Sequence, residues 1–229
     1  MPARPPISVL YEDNHLLIVN KPAGLPTMGV AEDRESVLTL AKQYIRRKYN
    51  KPGNVYLGTV SRLDSLATGA LVFARTSKAA ARLTKQFLHR ETEKRYWAIV
   101  SPTPDPPEDD CVNWVAKDER HHRMQIVKSG ATDAKEARLR YRTLRGLPRG
   151  ALIEVHLESG RKHQIRLQMA HRGWPVVGDT KYGSSQAFPS GIALHARHLT
   201  IEHPTLKTPV TVVAPVPVAW QQWGVTDQG

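Results

Sequence analysis

Only one cysteine, Cys111, occurs in the 229 residues, which excludes a disulfide framework and any multi-cysteine zinc site. No apolar run is long enough to cross a bilayer as a helix. The most apolar stretch, Val210 to Val218, is short and carries Pro215 and Pro217. The opening Met-Pro-Ala-Arg-Pro-Pro lacks a hydrophobic core, so no secretory signal is expected. Walker-type and dinucleotide-type glycine loops are missing, as is a Gly-x-Ser-x-Gly elbow, and ATP, NAD and serine-hydrolase chemistry have no support. Acidic residues are scarce as well. Against 33 Lys and Arg stand 21 Asp and Glu, a formal charge of +12. These absences point to a soluble, cytoplasmic chain with a polyanionic partner.

What is present suits a globular protein. A hydrophobic fraction of 40% is enough for a real core. Ser8–Tyr11 and Leu16–Asn20 read as two strands joined through Glu12-Asp13-Asn14, and Lys21-Pro22-Ala23-Gly24-Leu25-Pro26 forces a turn. Helical spacing of Val37, Leu40, Ala41, Tyr44 and Ile45 predicts a helix from Asp33 to Lys48. Strands are expected at Val55–Val60 and Ala70–Ala74, joined by Ser61–Gly69. Ser77 is the expected N-cap of a second helix that turns Ala80, Leu83 and Phe87 inward and Lys78, Arg82 and Lys85 outward. After a strand at Tyr96–Val100 comes an acidic, proline-rich loop, Pro102–Asp110. Glu136–Arg142 alternates strictly, with Arg138, Arg140 and Arg142 on one face and Ala137, Leu139 and Tyr141 on the other. A strand at Leu152–Leu157, a helix at Arg161–Arg172 closed by Gly173, and strands at Leu194–Glu202 and Val210–Ala214 complete the pattern. The expected fold class is α+β, a single domain over residues 1–229 around a largely antiparallel mixed sheet with flanking helices.

Basic charge is unevenly distributed. Arg120–Arg149 holds nine Lys or Arg and two Asp or Glu, and 20 of the 33 cations in the chain are arginine, which suits bidentate phosphate contacts. This pattern favours nucleic acid over a plain solvated surface. His195, His198 and His203 invite a metal reading. Yet on a strand the first two point to opposite faces and no carboxylate or thiolate accompanies them at ligand spacing, so no metal site is expected. Two clusters remain. In Ser61-Arg62-Leu63-Asp64-Ser65-Leu66-Ala67-Thr68-Gly69 an aspartate sits in a short loop between apolar strands, and taken alone it reads as a turn residue. Gly160-Arg161-Lys162-His163-Gln164-Ile165-Arg166 taken alone reads as an anion site at a helix start.

Together, and in this order, the two clusters resemble the RluA-type pseudouridine synthases, and further segments extend the likeness along nearly the whole chain. Tyr11-Glu12-Asp13 with Leu16–Gly24 resembles the family's opening strand and Asn-Lys-Pro-Ala-Gly turn, and Arg62-Leu63-Asp64 with Gly69 its catalytic loop. Lys94-Arg95-Tyr96-Trp97-Ala98-Ile99-Val100 resembles its Lys-x-Tyr-x-Ala-x-Val strand. Glu158–Arg166, then Gly173, Gly178-Asp179 and Tyr182-Gly183, resembles its third motif. Leu194-His195-Ala196, His203-Pro204 and Ala214-Pro215 are similar to its closing strands. The chain departs from the pattern at Ser61, where the family usually has histidine, at Ser65-Leu66-Ala67-Thr68, and at Gln168.

The resemblance implies an isomerase that needs no cofactor, acts on ribosomal or transfer RNA, and carries no S4-type domain before its first catalytic strand. It implies Asp64 as the catalytic carboxylate, Tyr96 as the ring against the target base, and Arg166 as the cation that pairs with the aspartate. Arg62 then props the space vacated by a flipped base. Lys94, Arg161, Lys162 and the row Arg138, Arg140 and Arg142 are the expected RNA contacts. A non-catalytic RNA-binding module with the same basic face is the competing reading. A monomer without an obligate protein partner is the expected state.

Overall fold

The computed structural model describes residues 7–29 and 34–228. Among these the strands are β1 (Ser8–Glu12), β2 (Leu16–Lys21), β3 (Gly58–Thr59), β4 (Thr68–Ala74), β5 (Glu93–Val100), β6 (Glu108–Asp118), β7 (Arg123–Val127), β8 (Lys135–Leu147), β9 (Gly150–Leu157), β10 (Leu194–Glu202) and β11 (Pro209–Val213). The α-helices are α1 (Val37–Lys48), α2 (Ser77–His89) and α3 (Gln164–His171). The chain divides into two compact units, residues 1–93 with 196–215, and residues 94–195 with 216–229. The mixture of strands and few helices is α+β, as the sequence pattern predicts.

In the first unit β2 pairs antiparallel with β1 and β4, β3 also pairs with β4, and β11 pairs with β10. β2 and β4 are apolar on both faces because each face has its own core. Leu16, Ile18 and Val72 join Leu83, Leu199 and Val210 on one side, whereas Leu17, Val19, Leu71 and Phe73 join Val37, Ala41 and Ile45 on the other. Thus α2 covers one face and α1 the opposite one. The α1 cap is Ser36, whose side chain accepts from the Thr39 N–H while Thr39 reaches back in a capping box. Asp33, the expected start, lies outside the described residues. The α2 cap is Thr76 rather than Ser77, since it is Thr76 Oγ1 that accepts from the Ala79 N–H. The strand expected at Val55–Val60 shortens to β3, although Val55 and Leu57 are still buried in the core.

Two adjacent carboxylates bind this unit together. Glu12 accepts from Lys48 (2.6 Å), Tyr49 (2.7 Å), Tyr44 (2.8 Å) and Arg75 (3.1 Å), tying β1 to the end of α1. Asp13 accepts the backbone N–H groups of His15 (2.6 Å) and Leu16 (2.7 Å) to close the β1–β2 turn, and its other oxygen takes Tyr11 (2.9 Å) and His203 (2.7 Å). Nδ1 of the fully buried His203 accepts from Thr205 and Leu206, so Nε2 carries the proton given to Asp13. His203 is therefore a core strut. Burial pushes Asp13 up, but its four hydrogen bonds outweigh burial and leave it below the usual carboxylate range.

The second unit orders its strands β5-β9-β8-β6-β7, all antiparallel neighbours. β8 shows the predicted alternation, with Ala137, Leu139 and Tyr141 buried and Arg138, Arg140 and Arg142 exposed. The acidic segment expected to be a loop through Asp110 is strand from Glu108 onward. The ladder sets Glu108 opposite Arg142 and Asp110 opposite Arg140, and Arg172 pairs with Asp109 at 2.7 Å, so arginines stabilise a run of three carboxylates in a strand. β7 was not anticipated. The third helix begins at Gln164, three residues later than expected, because His163 adopts a left-handed φ of 54° and ends the approach.

Candidate active site

The loop that carries Asp64 is gripped from below by a lysine. Lys21 ends β2 opposite Gly69, on the same strand face as Leu17 and Val19, and is only 1% exposed. Its Nζ donates to the carbonyls of Ala67 (2.7 Å), Pro22 (2.8 Å) and Ser65 (2.9 Å). Three acceptors match the three donors of an ammonium. Burial pulls this lysine down to about 7, while the charge of Asp64 pushes the other way. The Gly24 N–H donates to Ser65 O at 2.8 Å, and Thr27 Oγ1 bonds both the carbonyl (2.9 Å) and the N–H (3.2 Å) of Leu63. The Lys-Pro-Ala-Gly turn and the aspartate loop are thus one fastened structure. Gly69 completes it at φ 112°, where an added Cβ would sit 2.4 Å from the Ala196 carbonyl. Asp64 is half-buried at the surface of this loop and Arg62 is exposed.

In the second unit Arg166 lies on α3, a helix whose residues from Gln164 to Met169 are all buried. Its guanidinium forms a fork with Asp179, Nε to Oδ2 at 2.6 Å and Nη2 to Oδ1 at 2.9 Å, with the two side chains 4% and 1% exposed. The guanidinium also lies 5.0 Å from the centre of the Tyr182 ring. The Tyr182 hydroxyl is 2.8 Å from His163 Nδ1 and accepts the Met124 N–H at 3.1 Å. Gln164 Oε1 accepts from Ser159 Oγ and from the Arg161 N–H, and its amide donates to Arg138 O. Gln168, at a family departure, donates to Asn113 Oδ1 (2.8 Å) and to the carbonyls of Cys111 and Ala137 (both 3.2 Å). α3 is in this way bolted to β6 and β8 through buried amides. Tyr96 is half-buried on β5 opposite Val155. Lys94 and Arg161 are half-buried and Lys162 is exposed. Arg161 Nε is spent on the Glu136 carbonyl at 2.8 Å.

Asp64 and Arg62 therefore belong to the first unit, and Tyr96, Lys94, Arg161, Lys162 and Arg166 to the second. The row Arg138, Arg140 and Arg142 occupies one face as expected, but each arginine holds a carboxylate. Arg138 pairs with Glu136 (2.7 Å), Arg140 with Asp110 (2.6 Å) and Arg142 with Glu154 (2.8 Å). That compensation weakens the case for a bare phosphate track. Lys21 and Asp179 escaped residue-by-residue reading. Strand alternation on β2 was a usable signal for Lys21. The partner of a buried arginine thirteen residues distant had none.

A strand-borne lysine fastening an aspartate loop, and a helix-borne arginine oriented by a buried carboxylate, are set in an α+β scaffold. The model of the RNA pseudouridylate synthase family matches residues 15–171, and the chain belongs to that family. Among individual relatives, it is 35% identical to the ribosomal large subunit pseudouridine synthase D of Xylella fastidiosa over 93% of this chain and 66% of that protein. It is 33% identical to the dual-specificity RNA pseudouridine synthase RluA of Escherichia coli O6:H1 over 93% of this chain and 95% of the relative. The fold matches that of human RNA pseudouridylate synthase domain containing 4, with a TM-score of 0.78 at 23% identity, covering 95% of this chain and 93% of the human one. The chain thus spans just under two thirds of the length of the Xylella relative.

Proposed function

We propose that this protein is an RNA pseudouridine synthase that isomerises a specific uridine in structured ribosomal or transfer RNA. The observation that carries the reading is the Asp64 loop, immobilised by Lys21 inside a chain of this family. Rigid placement of one carboxylate is what the reaction needs. The N1–C1′ bond is exchanged for a C5–C1′ bond, with no net redox change and no water consumed. A stacked uridine must first leave its helix, at a cost of a few kcal/mol. Tyr96 offers a ring to the extruded base, worth about 1–3 kcal/mol of stacking, and Arg62 props the space it leaves. Asp64 then either attacks C1′ or removes the C2′ proton to give a glycal. Arg166, aimed by Asp179, supplies the cation that partners that carboxylate in the reaction. Lys94, Arg161 and Lys162 bind the RNA backbone. The chain works as a single catalytic domain, a cytoplasmic monomer. No described helix is long and apolar enough to cross a membrane.

The test is Asp64→Asn. Isomerisation of uridine in bulk cellular RNA should be abolished, while RNA affinity stays within a few-fold of wild type because it rests on phosphate contacts. Turnover near the wild-type rate would remove Asp64 from the reaction and favour the non-catalytic module.

A further inference from the structure

In the second unit a cavity of about 670 Å³ is lined by Pro148, Arg149, Phe188, Pro189, Trp223 and neighbouring residues. It shares no lining residue with the candidate active site, and its volume suits a small ligand. Three chain segments build it, and hydrogen bonds tie them together in advance. Gln186 donates from Nε2 to the Arg149 carbonyl (3.1 Å) and to Ser101 Oγ (2.5 Å), joining the Phe188 segment to the β8–β9 turn. Arg145 donates to the carbonyl of Gly224, a lining residue, at 2.6 Å, joining β8 to the C-terminal turn. Phe188 is backed edge-to-face by the fully buried Trp220, with ring centres 6.1 Å apart. The walls are therefore preformed.

Charge distinguishes this cavity from the rest of the hairpin. Arg138, Arg140 and Arg142 are each neutralised by a carboxylate. Arg145 and Arg149 lie further along the same hairpin, both exposed, and among the described residues no carboxylate pairs with either. Two aromatic residues, two prolines and the uncompensated guanidinium of Arg149 line it, and the guanidinium of Arg145 stands beside it on the Gly224 carbonyl; together they make a receptor for a flat ring joined to an anion. We propose that this cavity binds an unpaired nucleotide of the substrate RNA, its base against Trp223 and Phe188 and its phosphate on Arg149 and Arg145. A proline-rich peptide would use the aromatic walls but leave both arginines idle, so charge favours the nucleotide. The proposal rests on the RNA reading above and adds a second point of attachment, separate from the target uridine.

The experiment titrates the full chain, labelled with ¹⁵N at its tryptophans, with the 5′-phosphorylated dinucleotide pApA, the Trp223 indole signal being assigned with Trp223→Phe. A saturable shift of that signal is expected, weakened about tenfold or more in Arg149→Glu, a change on an exposed turn that leaves the core intact. In the isomerisation assay on RNA from cells lacking the protein, Trp223→Ala and Arg149→Glu should each raise KM about tenfold, the weight of one base–aromatic contact, with kcat near wild type. No pApA shift, or a shift given only by a proline-rich decapeptide, overturns the proposal. If wild type makes pseudouridine while pApA is silent and KM is unchanged in both variants, the site fails and the isomerase reading stands. If pApA binds and Arg149→Glu weakens it while wild type makes no pseudouridine, the nucleotide site stands and the isomerase reading fails.

Discussion

Replacing Arg166 with methionine tests whether the buried fork with Asp179 is a structural element. Methionine keeps the length and apolar bulk of the side chain but donates nothing. Asp179, 1% exposed, then loses the donors at 2.6 and 2.9 Å. Removing one member of a buried ion pair costs about 3–5 kcal/mol, because the remaining charge stays out of water without compensation. At about 2–4 °C per kcal/mol for a chain of this size, the melting temperature at pH 7.5 should fall by about 6–20 °C. Arg166→Met combined with Asp179→Leu should recover most of the stability, since an apolar pair of similar volume replaces a buried ion pair at little cost. Both variants should be inactive. Thermal melts of the wild type and the two variants are the assay. A loss below about 1 kcal/mol in the single variant, or no recovery in the double, would refute the reasoning.

Lys21→Met should lower kcat at least tenfold with little change in RNA affinity, because the Asp64 loop loses a donor to two of its carbonyls, Ser65 and Ala67; single-turnover kinetics beside a binding titration would show it. The same lysine, held at about 7 against an ordinary value of 10.5, imposes a charge cost that is full below pH 7 and is relieved as pH rises from 7 to 10.5. Its contribution to the stability slope over that window is up to about +1.4 kcal/mol per pH unit, and the methionine variant should lack it in denaturant titrations. Asp13 works in the opposite sense: held below its ordinary 3.8, it contributes stability that is present above that value and lost as pH falls through its folded value, so Asp13→Asn should flatten the acid limb of the stability profile. Because Arg138, Arg140 and Arg142 already hold carboxylates, changing all three to alanine should alter the slope of log K against log salt by less than one phosphate contact, about 0.7–0.9.

Much of this protein was legible residue by residue. Alternation on β8 and the buried stripe of α1 follow from strand and helix periods alone, and the aspartate loop stood out because polar residues separated two apolar strands. α3 was legible only in outline. Six of its eight residues are buried, so there is no polar face to mark its register, and its true start depends on the left-handed His163. Glu108 and Asp110 read as part of a solvated loop because the arginines across from them lie some thirty residues on, and only the ladder of β6 with β8 brings them together. That ladder gives Arg140 its carboxylate, β9 gives Arg142 Glu154, and Arg138 takes Glu136 on its own strand, so an arginine face that the sequence presents as naked charge is turned into ion pairs. Local periodicity is written into the chain because it depends on neighbours three or four residues apart. The partners of Lys21, Arg140 and Arg166 are not, because each is set by strand register and helix placement, and a buried charge is defined by the groups that surround it in space.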